Sequence, residues 1–297
     1  MPVMTGLSGN EMYCLHLKSM KAGELVIGNS VYSLGLVGSV GAGLRNLAGG
    51  EVTQVTQIIH EGRLQSFQRM QAEAAKAGGY GISGVSSELR HFHGNIEFLS
   101  VGSTVHLENQ APGAVEKLAF STAHDAQELY CILDAGYTPH HFVFGNVAYS
   151  VGVAGGILGS LKSMARGEVK EFSDIFNQTR HLALQRIAKD AAQYGANAII
   201  GIETTVLPFQ GVHEMMMMGT ACHHPLLPPP SPNNLPITSD LTAEETWNLA
   251  AMGYAPLKLV LGTAVYSLGV VGGFLAAIKS FSKGEINELT SLIYDAR

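Results

Sequence analysis

The run His213-Glu-Met-Met-Met-Met-Gly-Thr-Ala-Cys222-His223-His224 concentrates soft metal ligands in twelve residues. Imidazole, thioether and thiolate together suit zinc or Cu(I). On a strand, alternation would set His213, Met215, Met217 and, at its end, His223 on one face. The chain supplies its own comparison for ranking them. The words VIGNSVYSLG, VFGNVAYSVG and VLGTAVYSLG begin at Val26, Val143 and Val260, each 117 residues after the last. The same register maps Cys14 to Cys131, Gly78 to Gly195 and Gly102 to Gly219. A side chain needed by every unit should recur at that spacing. Of the 12 histidines only His106 and His223 do so. They are therefore the leading candidate ligands, with Cys222 and His224 beside His223 and private to the second copy. The methionine positions hold Phe98 and Ser100 in the first copy, after Ile96 in place of His213, which reads as an ordinary packing strand. His91 and His93 fall in a hairpin turn, where exposure is expected.

The elements that must position these residues are clearest in the second copy. Ser121-Thr122 followed by DAQELYCILDAG reads as a capped helix ending at Gly136. His141 to Val153 is aromatic and β-branched, a buried strand. Gly152, Gly155, Gly156 and Gly159 lead to a short helix ending near Gly167. Glu168 to Tyr194 repeats apolar residues at helical spacing. Ala198 to Val206 and His213 to Cys222 form a hairpin. The unit is α-β-α-α-β-β, an α+β fold with helices on one face of a small sheet. The expected divisions are a first unit over 1–118, a second over 119–224, a proline-rich linker over 225–236 and a partial third unit over 237–297. Leu289, Leu292 and Ile293 of that third unit map to the apolar face of the long helix, and they need cover from a neighbouring unit or chain.

Several function classes drop out. Eighteen Lys and Arg stand against 24 Asp and Glu, a net charge of −6 without a basic cluster, so nucleic acid is not an expected partner. GxSxG, HExxH and CxxC are absent, and GILGSLKS at Gly156 lacks the Gly-Lys pair of a phosphate loop. No enzyme constellation emerges. Leu259 to Ile278 runs twenty residues without charge. Its mid-segment Tyr266 and the polar counterpart Leu25 to Leu44 favour a buried strand and turn over a membrane span. Glu51, Glu168 and Glu285 each follow glycine and are expected in the first turn of a helix, where the dipole favours a carboxylate. Three cysteines without an even framework and no visible secretory signal point to a reducing, cytoplasmic setting.

The run GELVIGNSVYS, then GGE, then a helix ending AKAGGYGISGV and a hairpin ending VGSTVH, resembles the YbjQ-like family. LALQRIAKDAAQYGANAIIGIETTV in the second unit is similar to that family's long helix, turn and following strand. The resemblance implies a soluble α/β unit that assembles into rings, and a heavy-metal-binding label without a defined ligand set. This chain differs from the family pattern after the first strand, where it carries YSLGLVGSVGAG and its equivalents instead of charged residues. The expectation is a non-enzymatic, self-associating scaffold with zinc or copper as its candidate cofactor. The alternative is a metal-binding or metal-sensing protein using His106, His223, Cys222 and His224.

Overall fold

The computed structural model describes residues 4–33, 50–92, 95–109, 113–150, 167–209, 212–231, 234–267 and 294. The first unit contains helix α1 (Gly9–Leu17), strand β1 (Met20–Ser33), short strand β2 (Gly50–Glu51), long helix α2 (Thr53–Lys76) and the hairpin β3 (Gly81–Phe92) and β4 (Asn95–Leu107). The second contains β5 (Phe120–Ser121), α3 (Ala126–Asp134), β6 (Thr138–Ser150), β7 (Gly167–Glu168), α4 (Lys170–Gln193), β8 (Ala198–Phe209) and β9 (Val212–His223). The third contributes β10 (Ile237–Thr238), α5 (Ala243–Ala251) and β11 (Tyr266–Ser267). Helices, short strands and hairpins recur at the 117-residue spacing, so the repeat read from sequence is a repeat of α+β structure. The short helix expected before Gly167, and Leu289, Leu292 and Ile293, lie outside the described residues.

Local chemistry explains the recurrence. Ser8, Asp125 and Thr242 each cap a short helix, and each is answered three residues later by Glu11, Glu128 or Glu245. Side chain and backbone N–H satisfy one another reciprocally in each of these capping boxes. The cap in the second unit is thus Asp125; Ser121, expected there, belongs to β5. The long helices begin at Thr53 and Lys170, two residues after Glu51 and Glu168. Both glutamates stand on short strands and not in a first helical turn, and their partners come from the next unit. Hairpin strands β3 and β8 each carry a bulge at Gly84 and Gly201, whose φ of 63° and 64° only glycine adopts without strain.

The units interlock. One sheet has the order β1-β4-β3-β5, so the first unit's sheet ends on a strand from the second. The other runs β10-β8-β9-β6-β2 and takes strands from the first and third units. β5 adds in parallel to β3, and β10 adds in parallel to β8 in the same register. β2 pairs antiparallel with the end of β6, and β11 pairs antiparallel with β7.

Glycine in the repeated VxGN words sets the helix against the sheet. A β-carbon at Gly28 would collide with the Ser66 carbonyl oxygen and the Met70 amide of α2, and one at Gly145 with the Ala183 oxygen and Ile187 amide of α4. Backbone therefore meets backbone at that point. Substituting Gly145 by alanine should force α4 off its strand and cost about 1–3 kcal/mol or more, as overpacking does. Urea unfolding would show this as a lower midpoint, with Gly262→Ala, whose β-carbon would meet nothing within 4 Å and whose φ is not positive, as the control.

Candidate functional site at the junction between units

Strand alternation gives β6 two apolar faces. Val143, Gly145 and Val147 face α4, the helix of their own unit. Phe142, Phe144, Asn146 and Ala148 face the other way, onto α2 of the first unit. The second unit's sheet is therefore held between two long helices, one borrowed. Two hydrophobic clusters are shared across the junction: Phe67, Met70 and Ile82 pack with Phe142 and Phe144, while Val55, Ile59 and Phe98 pack with Ala148, Phe209 and Val212.

At the centre of this contact lies an ion pair. Arg63 of α2 and Glu214 of β9 are both fully buried. Arg63 Nε donates to Glu214 Oε1 at 2.9 Å and Nη2 donates to Oε2 at 2.6 Å, a bidentate fork. Nη1 donates to the Ser87 carbonyl and to Ser87 Oγ, each at 3.0 Å. Removing two charges from water costs several kcal/mol per ion, and their attraction repays it only when every polar atom is used. Here the guanidinium bonds to both units at once. Its contribution is to fix which surfaces meet and in what register, more than to raise net stability.

Further polar contacts surround the pair. Asn146 Nδ2 donates to the Thr56 carbonyl at 3.1 Å, and Thr56 Oγ1 accepts from the Ala148 amide at 2.9 Å. Arg186 of α4 donates to Glu51 Oε1 at 2.7 Å and to the Asn146 carbonyl at 2.7 Å. This is the work of Glu51: it clamps the next unit instead of serving a helix dipole. A cleft of about 570 Å³ opens between α2 and α4 beside these contacts, lined in part by His60, Phe67, His141, Asp190 and Tyr194. His141 stacks on Tyr194 with ring centroids 3.9 Å apart. Burial, with Lys117 adding to it, holds His141 down at about 4. Burial raises the Asp190 carboxyl to about 6, with the Phe144 backbone N–H opposing the shift.

The candidate metal ligands are placed differently. His106 and His223 stand at equivalent strand ends, opposite Lys21 and Thr138, but in separate sheets. His223 stacks on His140 at 6.1 Å, whereas Gly23 occupies the place of His140 beside His106. Cys222 faces the core formed by Cys131, Ile132, Tyr137 and Ala198. Full burial pushes its thiol far above the ordinary value, which disfavours the thiolate a metal needs. His224 Nδ1 accepts from the Leu226 amide at 3.2 Å, and its ring packs on Tyr137. Met215, Met216 and Met217 are all buried, and Met217 belongs to the core cluster that α4 covers. Among the described residues no group of three or more His, Cys, Asp or Glu could hold a metal ion. These four residues do not fit a common metal site.

The repeat geometry has counterparts in known proteins. A family profile, YbjQ, described as "Putative heavy-metal-binding", matches residues 16–108 and 137–224. The chain belongs to the YbjQ family. It is 33% identical over 226 residues to the encapsulin nanocompartment protein Rv1762c of Mycobacterium tuberculosis, covering 72% of this chain and 83% of that protein. It is 39% identical over 80 residues to a UPF0145 protein of Shewanella frigidimarina, covering 27% of this chain and 75% of that one. A UPF0145 protein of Methanoregula boonei is 35% identical over 98 residues, 30% of this chain and 82% of its own length. These shorter relatives match about one YbjQ unit each. No solved structure gives a significant match.

Neither Arg63 nor Glu214 stood out as functional in the sequence, although a signal was present. Arginine recurs at 63, 180 and 297, and glutamate at 97 and 214, all at 117 residues. A charge inside a strand as apolar as HEMMMM needs a buried partner of opposite sign, which the recurring arginine at 63 supplies.

Removing one partner should cost about 3–5 kcal/mol, because the other charge is left buried and unpaired. Arg63→Met and Glu214→Gln are each expected to lower the urea midpoint sharply, and the double variant Arg63→Met/Glu214→Met to recover much of the loss. A double-mutant cycle measures the coupling. The cleft also predicts a pH effect. Asp190 has a raised folded pKa, so its contribution is fully present below about pH 4 and is lost as pH rises through about 6. His141 has the opposite sense: its contribution is present above its ordinary value of 6.5 and is lost as pH falls toward 4. Asp190→Asn should therefore match the wild type near pH 4 and exceed it near pH 7, by about 1–3 kcal/mol. Chemical unfolding across this range checks both signs.

Proposed function

We propose that this chain is a non-enzymatic assembly protein, in which YbjQ units dock on one another within the chain and between copies by one repeated contact. The observation that carries the reading is the shared helix-sheet-helix layer around Arg63 and Glu214. A unit whose sheet is finished only by its neighbour's helix and strand is built for association. The Mycobacterium tuberculosis relative, named as an encapsulin nanocompartment protein, supports a role in assembly. A ring is the closed form that such head-to-tail docking favours when its rotation closes. Cytoplasmic residence belongs to the same reading, since Cys131 and Cys222 sit as thiols in the core. No helix among the described residues is long and apolar enough to cross a membrane.

The second reading, zinc or copper binding, follows the family's description and the recurrence of His106 and His223. One experiment separates the two. Light scattering of the intact chain at micromolar concentration should give a mass several times 31.5 kDa, unchanged after dialysis against a chelator. A monomer would remove the assembly reading. Loss of mass or of melting temperature on chelation, restored by zinc or copper, would replace it with the metal reading.

A further inference from the structure

The junction between units has a second half, away from the long helices. The short helices α1, α3 and α5, one from each unit, pack in a row, α3 against α1 and α5 against α3. Leu15 and Met20 of the first unit form a core cluster with Phe120, Ala126 and Leu129 of the second. One repeat later, Ile132 and Tyr137 form a cluster with Ala243, and Ile237 and Trp247 pack against it. These are the same positions: Leu15 maps to Ile132, Met20 to Tyr137, Phe120 to Ile237 and Ala126 to Ala243, each at 117 residues. Lys18 Nζ lies over the Tyr130 ring, 4.6 Å from its centroid. At the next junction the counterparts of that pair, Ala135 and Trp247, pack on one cluster. Within the chain each short helix therefore gives a following face to the next unit, which receives it on a preceding face.

At the two ends of the row the faces are open, and both ends are among the described residues. On the preceding side, Leu129 and Thr246 are buried, whereas Met12, at the same position of α1, is 42% exposed. Tyr13, at the position of Tyr130 and Trp247, is 63% exposed. On the following side, Met20 and Tyr137 are buried, whereas their counterpart Tyr254, just after α5, is 67% exposed. Met252, at the position of Lys18, is 62% exposed. The chain thus ends its helix row with one half of the contact at α1 and the other half at α5.

We infer that the preceding face of α1, with Met12 and Tyr13, docks on the following face of α5, with Met252 and Tyr254, of a second copy of this chain. This rests on the assembly reading above and names surfaces that carry it. A second copy is the occupant because the chain makes this contact twice with itself, and the half left over at one end is the complement of the half left over at the other. The repeat sets Met252 of one copy over Tyr13 of the next, as Lys18 lies over Tyr130. A thioether against an aromatic ring is a favourable contact. It likewise sets Tyr254 near Met12, as Met20 shares a cluster with Leu129. The two faces are dissimilar, so the contact is heterologous and leaves each copy with one face to give and one to receive.

The test compares native mass for the wild type, for Met12→Glu/Tyr13→Glu and for Met252→Glu/Tyr254→Glu, each alone and the two variants mixed, with far-UV circular dichroism as the check on folding. All four side chains are exposed, so both variants should stay folded; the single changes Tyr13→Glu and Met252→Glu replace a variant that does not. Each variant alone should associate at least about tenfold more weakly than the wild type. Their equimolar mixture should recover a species of two chains, because one variant keeps the α5 face and the other keeps the α1 face. If the wild type associates and either variant alone keeps its mass, the inference falls and the assembly reading stands. If both variants lose association and the mixture stays monomeric, the pairing of α1 with α5 falls. If the wild type is a monomer, the assembly reading itself falls, and the inference with it.

Discussion

A sheet with two apolar faces and one helix of its own is the constraint on which this protein turns. Alternation along β6 sends Val143 and Val147 to α4 and leaves Phe142, Phe144 and Ala148 needing cover. Burying a large aliphatic or aromatic side chain is worth about 1.5–3 kcal/mol, so the two phenylalanines cannot be left to water without loss. The preceding helix α2 meets that need. Once it does, a polar contact at the centre of the layer must be satisfied completely, and Arg63 is: its fork takes Glu214 on one side and Ser87 on the other. The apolar stripe provides the driving force, and the ion pair provides the register.

That division explains why the junction repeats imperfectly. Between the second and third units, Leu259 and Leu261 reproduce the apolar part against α4, the Val169 amide donates to the Val265 carbonyl, and the Val265 amide donates to Ser173 Oγ. The polar part is changed: Arg180 turns to a threonine hydroxyl and a carbonyl. Neutral acceptors do not balance a guanidinium as a carboxylate does. Among the described residues, the repeated scaffold thus gives one junction whose arginine meets a carboxylate and one whose arginine meets neutral acceptors.

Much of the fold was legible because it is written in local chemistry and then repeated. The periodic faces of the long helices and the turn at Gly195 are short-range signals; the capping boxes are equally local, yet Ser121-Thr122 reads as the cap in the sequence and Asp125 is the cap in the structure. The glycine of VxGN was visible as a recurring residue, yet its reason, backbone contact with Ser66 and Met70, is a tertiary fact. The helices were expected on one face of the sheet, which holds for each unit's own helix; the second cover comes from a different part of the chain, at a distance of some eighty residues that no periodicity reports. The same holds for Glu51, whose position after a glycine suggested a helix start while Arg186 of the next unit is its partner. The soft-ligand run was read for its side-chain types. Strand register instead sends Cys222 into the core and separates His106 from His223, because the face on which a residue lands, and not its chemical type, decides what it can ligate.

The exchange of short strands gives the chain a direction in time as well as in space. The edge of β3 is closed by Phe120–Ser121, and β2 finds its partner only at Tyr149 and Ser150. On a ribosome, which delivers the chain from its N-terminus, the first unit would emerge with its own residues complete but its sheet unfinished. It would reach its final hydrogen bonding only as the second unit's long strand appears. Nascent chains stalled between those points would thus display an open strand edge, a surface that chaperones and other nascent chains recognise.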